Sequence, residues 1–199
     1  MLRERTDVQV RAGGEADLKA LTELYNHYVR ETAITFDIAT FTPEQRLPWL
    51  RSHPKDGPHR LLVARALTNA DEHPENQTQN EGVLLGYATS SALRPKAAYE
   101  TSVEVSVYCA PEAGGLGIGT LLYEHLFRAL ADEDVHRAYA GITQPNEAST
   151  KLHARFGFRQ IGTYTEVGRK FGRYWDIEWY EKRLSGTQLR PEGPPGPGA

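Results

Sequence analysis

Apolar positions recur along this chain with two different periods, and the changes of period mark its elements. From Glu15 to about Arg30, Leu18, Leu21, Tyr25 and Tyr28 share one face at helical spacing, which predicts a helix. A second helix is predicted to start at Thr42. Thr42 with Gln45 three residues on fits a capping box, and Pro43 suits the first helical position. Pro48 should kink or end that helix early. The runs HRLLVARAL (59–67) and GVLLGYATSSAL (82–93) are rich in apolar and β-branched residues and predict a hairpin with a long connection.

The clearest strand is TSVEVSVYCA, residues 101–110. Val103, Val105, Val107 and Cys109 fall on one face, and Ser102, Glu104, Ser106 and Tyr108 on the other. A glycine-rich turn follows, then a predicted helix in GTLLYEHLFRALAD and a strand in AYAGITQ. NEASTKLHARFGF predicts a helix opened by Asn146 and closed by Gly157. Two strand-like runs surround Gly168 and Gly172. Strand, glycine turn, helix, strand, helix is the central order, so the expected class is α/β. Trp175 and Trp179, four apart on a strand, share a face and read as packing residues.

Length and composition narrow the classes. With 199 residues, 39% hydrophobic and 25% charged, the chain suits one globular domain over 1–184. Two segments stand apart. Residues 68–81 are polar, with four acids and no Lys or Arg, and read as an exposed loop insert. Residues 185–199 hold four Pro and four Gly and read as a disordered tail. A net charge of −3 without a basic run argues against a nucleic-acid binder. No apolar stretch reaches the roughly 18 residues of a membrane span, and no secretory leader opens the chain, so a cytoplasmic protein is expected. One cysteine, Cys109, allows no internal disulfide and no multi-cysteine zinc site. The seven histidines show no close ligand pair, so no metal is expected.

The sharpest local signal is Gly114-Gly115-Leu116-Gly117-Ile118-Gly119-Thr120, between a strand and a helix. Glycines let backbone approach a ligand, and a helix N-terminus offers free N–H groups to phosphate. A plain flexible turn is the other reading. No Lys-Ser/Thr follows for a mononucleotide loop, and the dinucleotide fingerprint lacks its third glycine.

The run from Val107-Tyr108-Cys109 through Gly117-x-Gly119-Thr120 resembles the acetyl-CoA motif of the GCN5-related N-acetyltransferase superfamily, Gln/Arg-x-x-Gly-x-Gly/Ala. Gly114 departs from it, standing where the family has Gln or Arg. Asn146-x-x-Ser149-x-x-x-His153-x-x-x-Gly157-Phe158 is similar to the family's second motif. Tyr25-Asn26-His27-Tyr28, Arg94-Pro95-Lys96 with Tyr99, Val103-Glu104-Val105-Ser106-Val107-Tyr108, and Lys170-Phe171-Gly172-Arg173-Tyr174-Trp175 resemble the phosphinothricin N-acetyltransferase subgroup. The likeness covers roughly residues 8–184.

The resemblance implies a mixed twisted sheet flanked by helices, with a splayed gap that holds acetyl-CoA. It implies a homodimer, and transfer of acetyl to the amino group of a small amino-acid-like acceptor such as phosphinothricin, methionine sulfone or methionine sulfoximine. Another amine, or a non-catalytic CoA-binding module, is the alternative. Cofactor contacts are implied for Val107, Tyr108, Cys109, Gly115, Leu116, Gly117, Ile118, Gly119, Thr120, Asn146 and Ser149. An ammonium must lose a proton before its nitrogen can attack a thioester, and Glu104 aligns with the family's proposed base. By its residue type alone, Glu104 reads first as a solvated or salt-bridged strand carboxylate, since most Glu residues are exposed. His153 is placed to give a proton to the departing thiolate, or is a histidine held by a structural hydrogen bond. Arg94 and Lys96 could anchor a carboxylate or phosphinate, with Tyr99 and Ser106 beside them, or be ordinary loop cations. Phe36 and Tyr174 are candidate pocket walls. Cys109 reads as a small core residue rather than a nucleophile.

Overall fold

The computed structural model describes residues 8–67 and 82–184. The segments 68–81 and 185–199, read above as a loop insert and a tail, lie outside the described residues. Seven strands form one sheet in the order β1-β2-β3-β4-β5-β7-β6. They are β1 (Val8–Ala12), β2 (Arg60–Ala66), β3 (Leu84–Ala92), β4 (Ser102–Cys109), β5 (Arg137–Thr143), β6 (Arg159–Lys170) and β7 (Arg173–Arg183). Four helices pack on it: α1 (Leu18–Glu31), α2 (Pro43–Arg51), α3 (Ile118–Ala129) and α4 (Glu147–Arg155).

The local signals act as their chemistry dictates. Thr42 accepts from the Gln45 amide at 3.3 Å, and the Gln45 side chain accepts from the Thr42 amide at 2.8 Å. Pro48 does not end α2 at once. The helix runs on to Arg51, because only one backbone bond is forfeited in so short a helix. Asn146 caps α4 by accepting from Ser149 N at 3.1 Å. Gly157, at φ +80°, closes that helix: Gly157 N donates to Ala154 O at 3.0 Å and Phe158 N to His153 O at 3.1 Å. The predicted hairpin is the antiparallel pair β2–β3, with Leu62 opposite Ala88. The last hairpin turns through Phe171 and Gly172, both at positive φ, as a two-residue primed turn requires.

Among the described residues, strands β4 and β5 are the one parallel pair, and α3 supplies their crossover. Their pairing is short: Ser102 with Arg137, Val103 with Ala138, Glu104 with Tyr139, and no further. Beyond Glu104 the two strands part. Two cores lie on opposite faces of the sheet. One gathers Val103, Val105, Leu122, Leu126 and Ala138 under α3. The other gathers Leu21, Leu24, Leu50, Val63 and Tyr87 under α1 and α2. The alternation read in β4 decides this: its valines serve the α3 core, and its polar residues face α1 and α2.

Candidate functional site

The glycine turn is built by a short 3-10 turn, Pro111–Ala113, whose carbonyls accept from Gly114 N at 3.2 Å and Leu116 N at 3.3 Å. Gly115 and Gly117 then adopt φ of +77° and +74°, a region that disfavours side chains. Gly117 caps α3, so the amides of its first turn have no intrahelical partner. They open on a hollow of about 580 Å³ lined by Cys109, Gly115, Gly117, Ile118, Gly119 and Thr120, and from α4 by Lys151, Leu152 and Arg155. A Cβ on Gly119 would sit 3.1 Å from Leu152 Cδ2, so this glycine lets α4 come close.

The Leu116 side chain packs against the α3 core, and its amide donates to Ala113 O. Cys109 also packs against that core, and burial pushes its thiol up to about 11, so it is no thiolate nucleophile at neutral pH.

Where β4 and β5 part, a narrow cleft opens, lined by Val107 and Tyr108 on one side, Ala140 to Thr143 on the other, and Asn146, Ser149 and His153 at its end. Strands that have separated leave backbone groups unpaired at this cleft. His153 is only 3% exposed. Its Nδ1 lies 2.8 Å from Ser149 O, and its Nε2 2.9 Å from Tyr123 Oη. A carbonyl only accepts, so Nδ1 carries the proton and Nε2 accepts from the Tyr123 hydroxyl. Burial also lowers the ring's pKa. His153 is thus a neutral ring with both nitrogens engaged. Its one N–H is engaged by the Ser149 carbonyl, the arrangement of a histidine held by structural hydrogen bonds. Ser149 Oγ stands 3.3 Å from Nδ1 at the same cleft.

Glu104 is half-buried on the α1/α2 face. Burial raises its carboxyl pKa, and the charge of Arg94 lowers it. Its register neighbours are Ser91 on β3 and Tyr139 on β5. Each belongs to a different cavity. Tyr139 lines one of about 420 Å³ with Arg94, Tyr99, Tyr164 and Trp179. Ser91 lines one of about 270 Å³ with Ser106, Tyr108, Tyr25, Asp37, Arg46 and Trp49. The expected substrate set is therefore split: Arg94 and Tyr99 to one side of Glu104, Ser106 to the other. Lys96 is exposed and lines neither cavity. Tyr174 is 59% exposed at the β6–β7 turn. Phe36 presses on Gly168 of β6, where any Cβ would meet its ring at 1.9 Å. Neither lines the two cavities.

Of the smaller cavity, sequence reasoning named Ser106 and Tyr108 as site residues and missed Arg46, Trp49 and Asp37. Arg46 is 5% exposed, with its guanidinium 4.1 Å over the Tyr25 ring and 3.9 Å over Trp49. Tyr25 donates to Asp37, and Lys170 Nζ donates to Thr35 O at 2.7 Å. The hint was Arg46 and Trp49 three apart on a capped helix, but the pattern around Pro48 is too weak to say which face turns inward. Among the described residues no group of three or more His, Cys, Asp or Glu is arranged for a metal, and no helix is long and apolar enough to cross a membrane.

The splayed parallel pair, the glycine turn opening α3 and the Asn-capped α4 define a class of acyl-CoA transferase fold. Residues 22–158, more than half of the chain, match the acetyltransferase (GNAT) family. The chain belongs to that family, as an N-acetyltransferase that uses acetyl-CoA. Among its relatives is the phosphinothricin N-acetyltransferase of Streptomyces coelicolor, 66% identical over 178 residues, covering 89% of this chain and 97% of that protein. The L-methionine sulfoximine/L-methionine sulfone acetyltransferase of Salmonella typhimurium is 32% identical, covering 88% of this chain and 94% of its own. Among solved structures, a phosphinothricin acetyltransferase from Sinorhizobium meliloti in complex with acetyl-CoA superposes with a TM-score of 0.74, at 29% identity, over 89% of each chain.

Proposed function

We propose that this enzyme acetylates the free α-amino group of small amino acids whose side chains end in an oxygen-bearing phosphorus or sulfur group, of the phosphinothricin and methionine sulfone type. The observation that carries the reading is Glu104: a half-buried carboxyl with a raised pKa, at the last paired position before the strands part. High identity to a named phosphinothricin N-acetyltransferase supports the acceptor class.

The residues present suit acetyl-CoA. The first-turn amides of α3, with Lys151 and Arg155 across the hollow, suit its phosphates. Lys151 also pairs with Glu147 at 2.8 Å, so Arg155 is the freer cation. These cations stand in for the Gln or Arg that position 114 lacks. Bound acetyl-CoA supplies an activated acetyl thioester at the cleft. There Glu104, directly or through a water, accepts the proton of the acceptor's ammonium and frees its nitrogen lone pair to attack the acetyl carbon. Amides near Val107 and Tyr108 stabilise the charge on the carbonyl oxygen. As the C–S bond breaks, Ser149 Oγ hydrogen-bonds the departing sulfur, while His153 fixes Ser149 and the end of α4. Transfer is direct, in a ternary complex, with no acyl-enzyme.

A free-thiol release assay tests this with phosphinothricin, methionine sulfone, methionine sulfoximine, a polyamine and a short peptide side by side. Turnover confined to the three amino-acid analogues is expected, and a Glu104→Gln loss of about 100-fold or more in kcat. Preference for the polyamine or peptide, or full turnover by Glu104→Gln, would overturn the acceptor or the base.

A further inference from the structure

Arg46 presents an unusual balance. It is buried, it lines a cavity, and among the described residues its guanidinium makes no ion pair with a carboxylate. Its Nε has no hydrogen-bond partner. What holds it is a sandwich between Tyr25 and Trp49, with the buried Tyr87 ring beside Trp49. Cation–π contact offsets part of the desolvation of a buried cation, but an anion with bidentate geometry offsets much more. Asp37 lines the same cavity and carries the opposite sign. Asp37 accepts from the Tyr25 hydroxyl, and the Lys170 ammonium, itself 4% exposed, acts on it electrostatically from outside the cavity lining.

The cavity also stands at a telling place. Ser106, two residues beyond Glu104 on the same face of β4, lines both this cavity and the cleft between β4 and β5. Two residues along a strand advance about 7 Å. That is about the reach from the α-nitrogen to an oxygen on the phosphorus or sulfur of these acceptors, which lies two methylenes beyond Cα. Arg94, whose charge acts on Glu104, lies on the other side.

We propose that the cavity under α1 and α2 is an anion subsite built on Arg46, which receives the acidic end of the acceptor's side chain while the α-carboxylate lies toward Arg94. This rests on the proposed acceptor class and deepens it. It makes Arg46 the residue that separates a charged phosphinate terminus from a neutral sulfone and from a plain thioether.

The test compares phosphinothricin, methionine sulfone and methionine as acceptors of wild-type enzyme, Arg46→Met and Arg46→Lys. Arg46→Met is expected to lose roughly 10- to 100-fold in kcat/KM for phosphinothricin, carried by KM, less for the sulfone, and within a few-fold for methionine. Arg46→Lys, which keeps charge without the fork, should fall between. Equal losses for all three acceptors would overturn the subsite and leave Arg46 as packing. Calorimetry on the wild type keeps the inference testable should Arg46→Met fail to fold. Phosphinothricin is expected to bind at least 10-fold more tightly than methionine, and equal affinity would overturn the proposal. Arg46-dependent binding without turnover would sink the acceptor reading and spare the subsite.

Discussion

The charge of Arg94 acts on the carboxyl of Glu104 against the effect of burial: burial raises that carboxyl's pKa, and the guanidinium pulls it down. A base works deprotonated, so kcat/KM should rise as pH rises through the Glu104 pKa. Arg94→Ala removes the lowering influence. Its acid limb is expected at higher pH than that of the wild type, with a higher acceptor KM. Full pH profiles of kcat/KM check this, and an unmoved limb would detach Arg94 from the titrating group.

His153 ties two buried groups together, the Tyr123 hydroxyl and the Ser149 carbonyl. His153→Phe strands both and should cost about 1–3 kcal/mol of stability, read by denaturant titration. The sign of its pH dependence follows from burial, which lowers its pKa in the folded state, as it does for His53. Unfolded histidines take up protons near pH 6.5, so below that the unfolded state binds more and stability falls. The wild type should lose stability on going from pH 7 to 5, and His153→Phe should lose less of it. A variant that melts like the wild type would remove His153 from its positioning role.

Cys109 borders the glycine-turn hollow, yet burial holds its thiol near 11. Cys109→Ala should keep turnover within a few-fold. Alkylation of the wild type by iodoacetamide at pH 7 should be slow against a free thiol. Loss of turnover in Cys109→Ala would reopen a covalent route.

Arg155 faces the first turn of α3 across the same hollow. Arg155→Glu is expected to raise the KM for acetyl-CoA by about tenfold or more, with a smaller effect on acceptor KM, because phosphate attraction is the interaction lost. Bisubstrate kinetics at two ionic strengths measure it. The wild-type advantage should shrink at high salt.

Much of this was legible in the chain. The capping box at Thr42, the Asn146 cap, the Gly157 closure and the β4 alternation are local signals, and each forms where its chemistry puts it. A motif says which residues are near a site, not which way each side chain turns: the Leu116 side chain packs against the core, and Lys96 is exposed.

By itself the sequence determined what depends on neighbours in the chain: the elements, their ends, the two faces of β4, and the motifs that mark an acetyltransferase. Tertiary structure alone decided what depends on residues far apart. The burial that keeps His153 neutral and the Tyr123 hydroxyl that meets its Nε2 come from packing α4 on α3, the sandwich around Arg46 joins α1 to α2, and the raised Glu104 pKa comes from burial in the assembled sheet. The physical reason is that hydrogen-bond direction and desolvation are set by what folding brings within a few ångströms, and no local pattern encodes that distance.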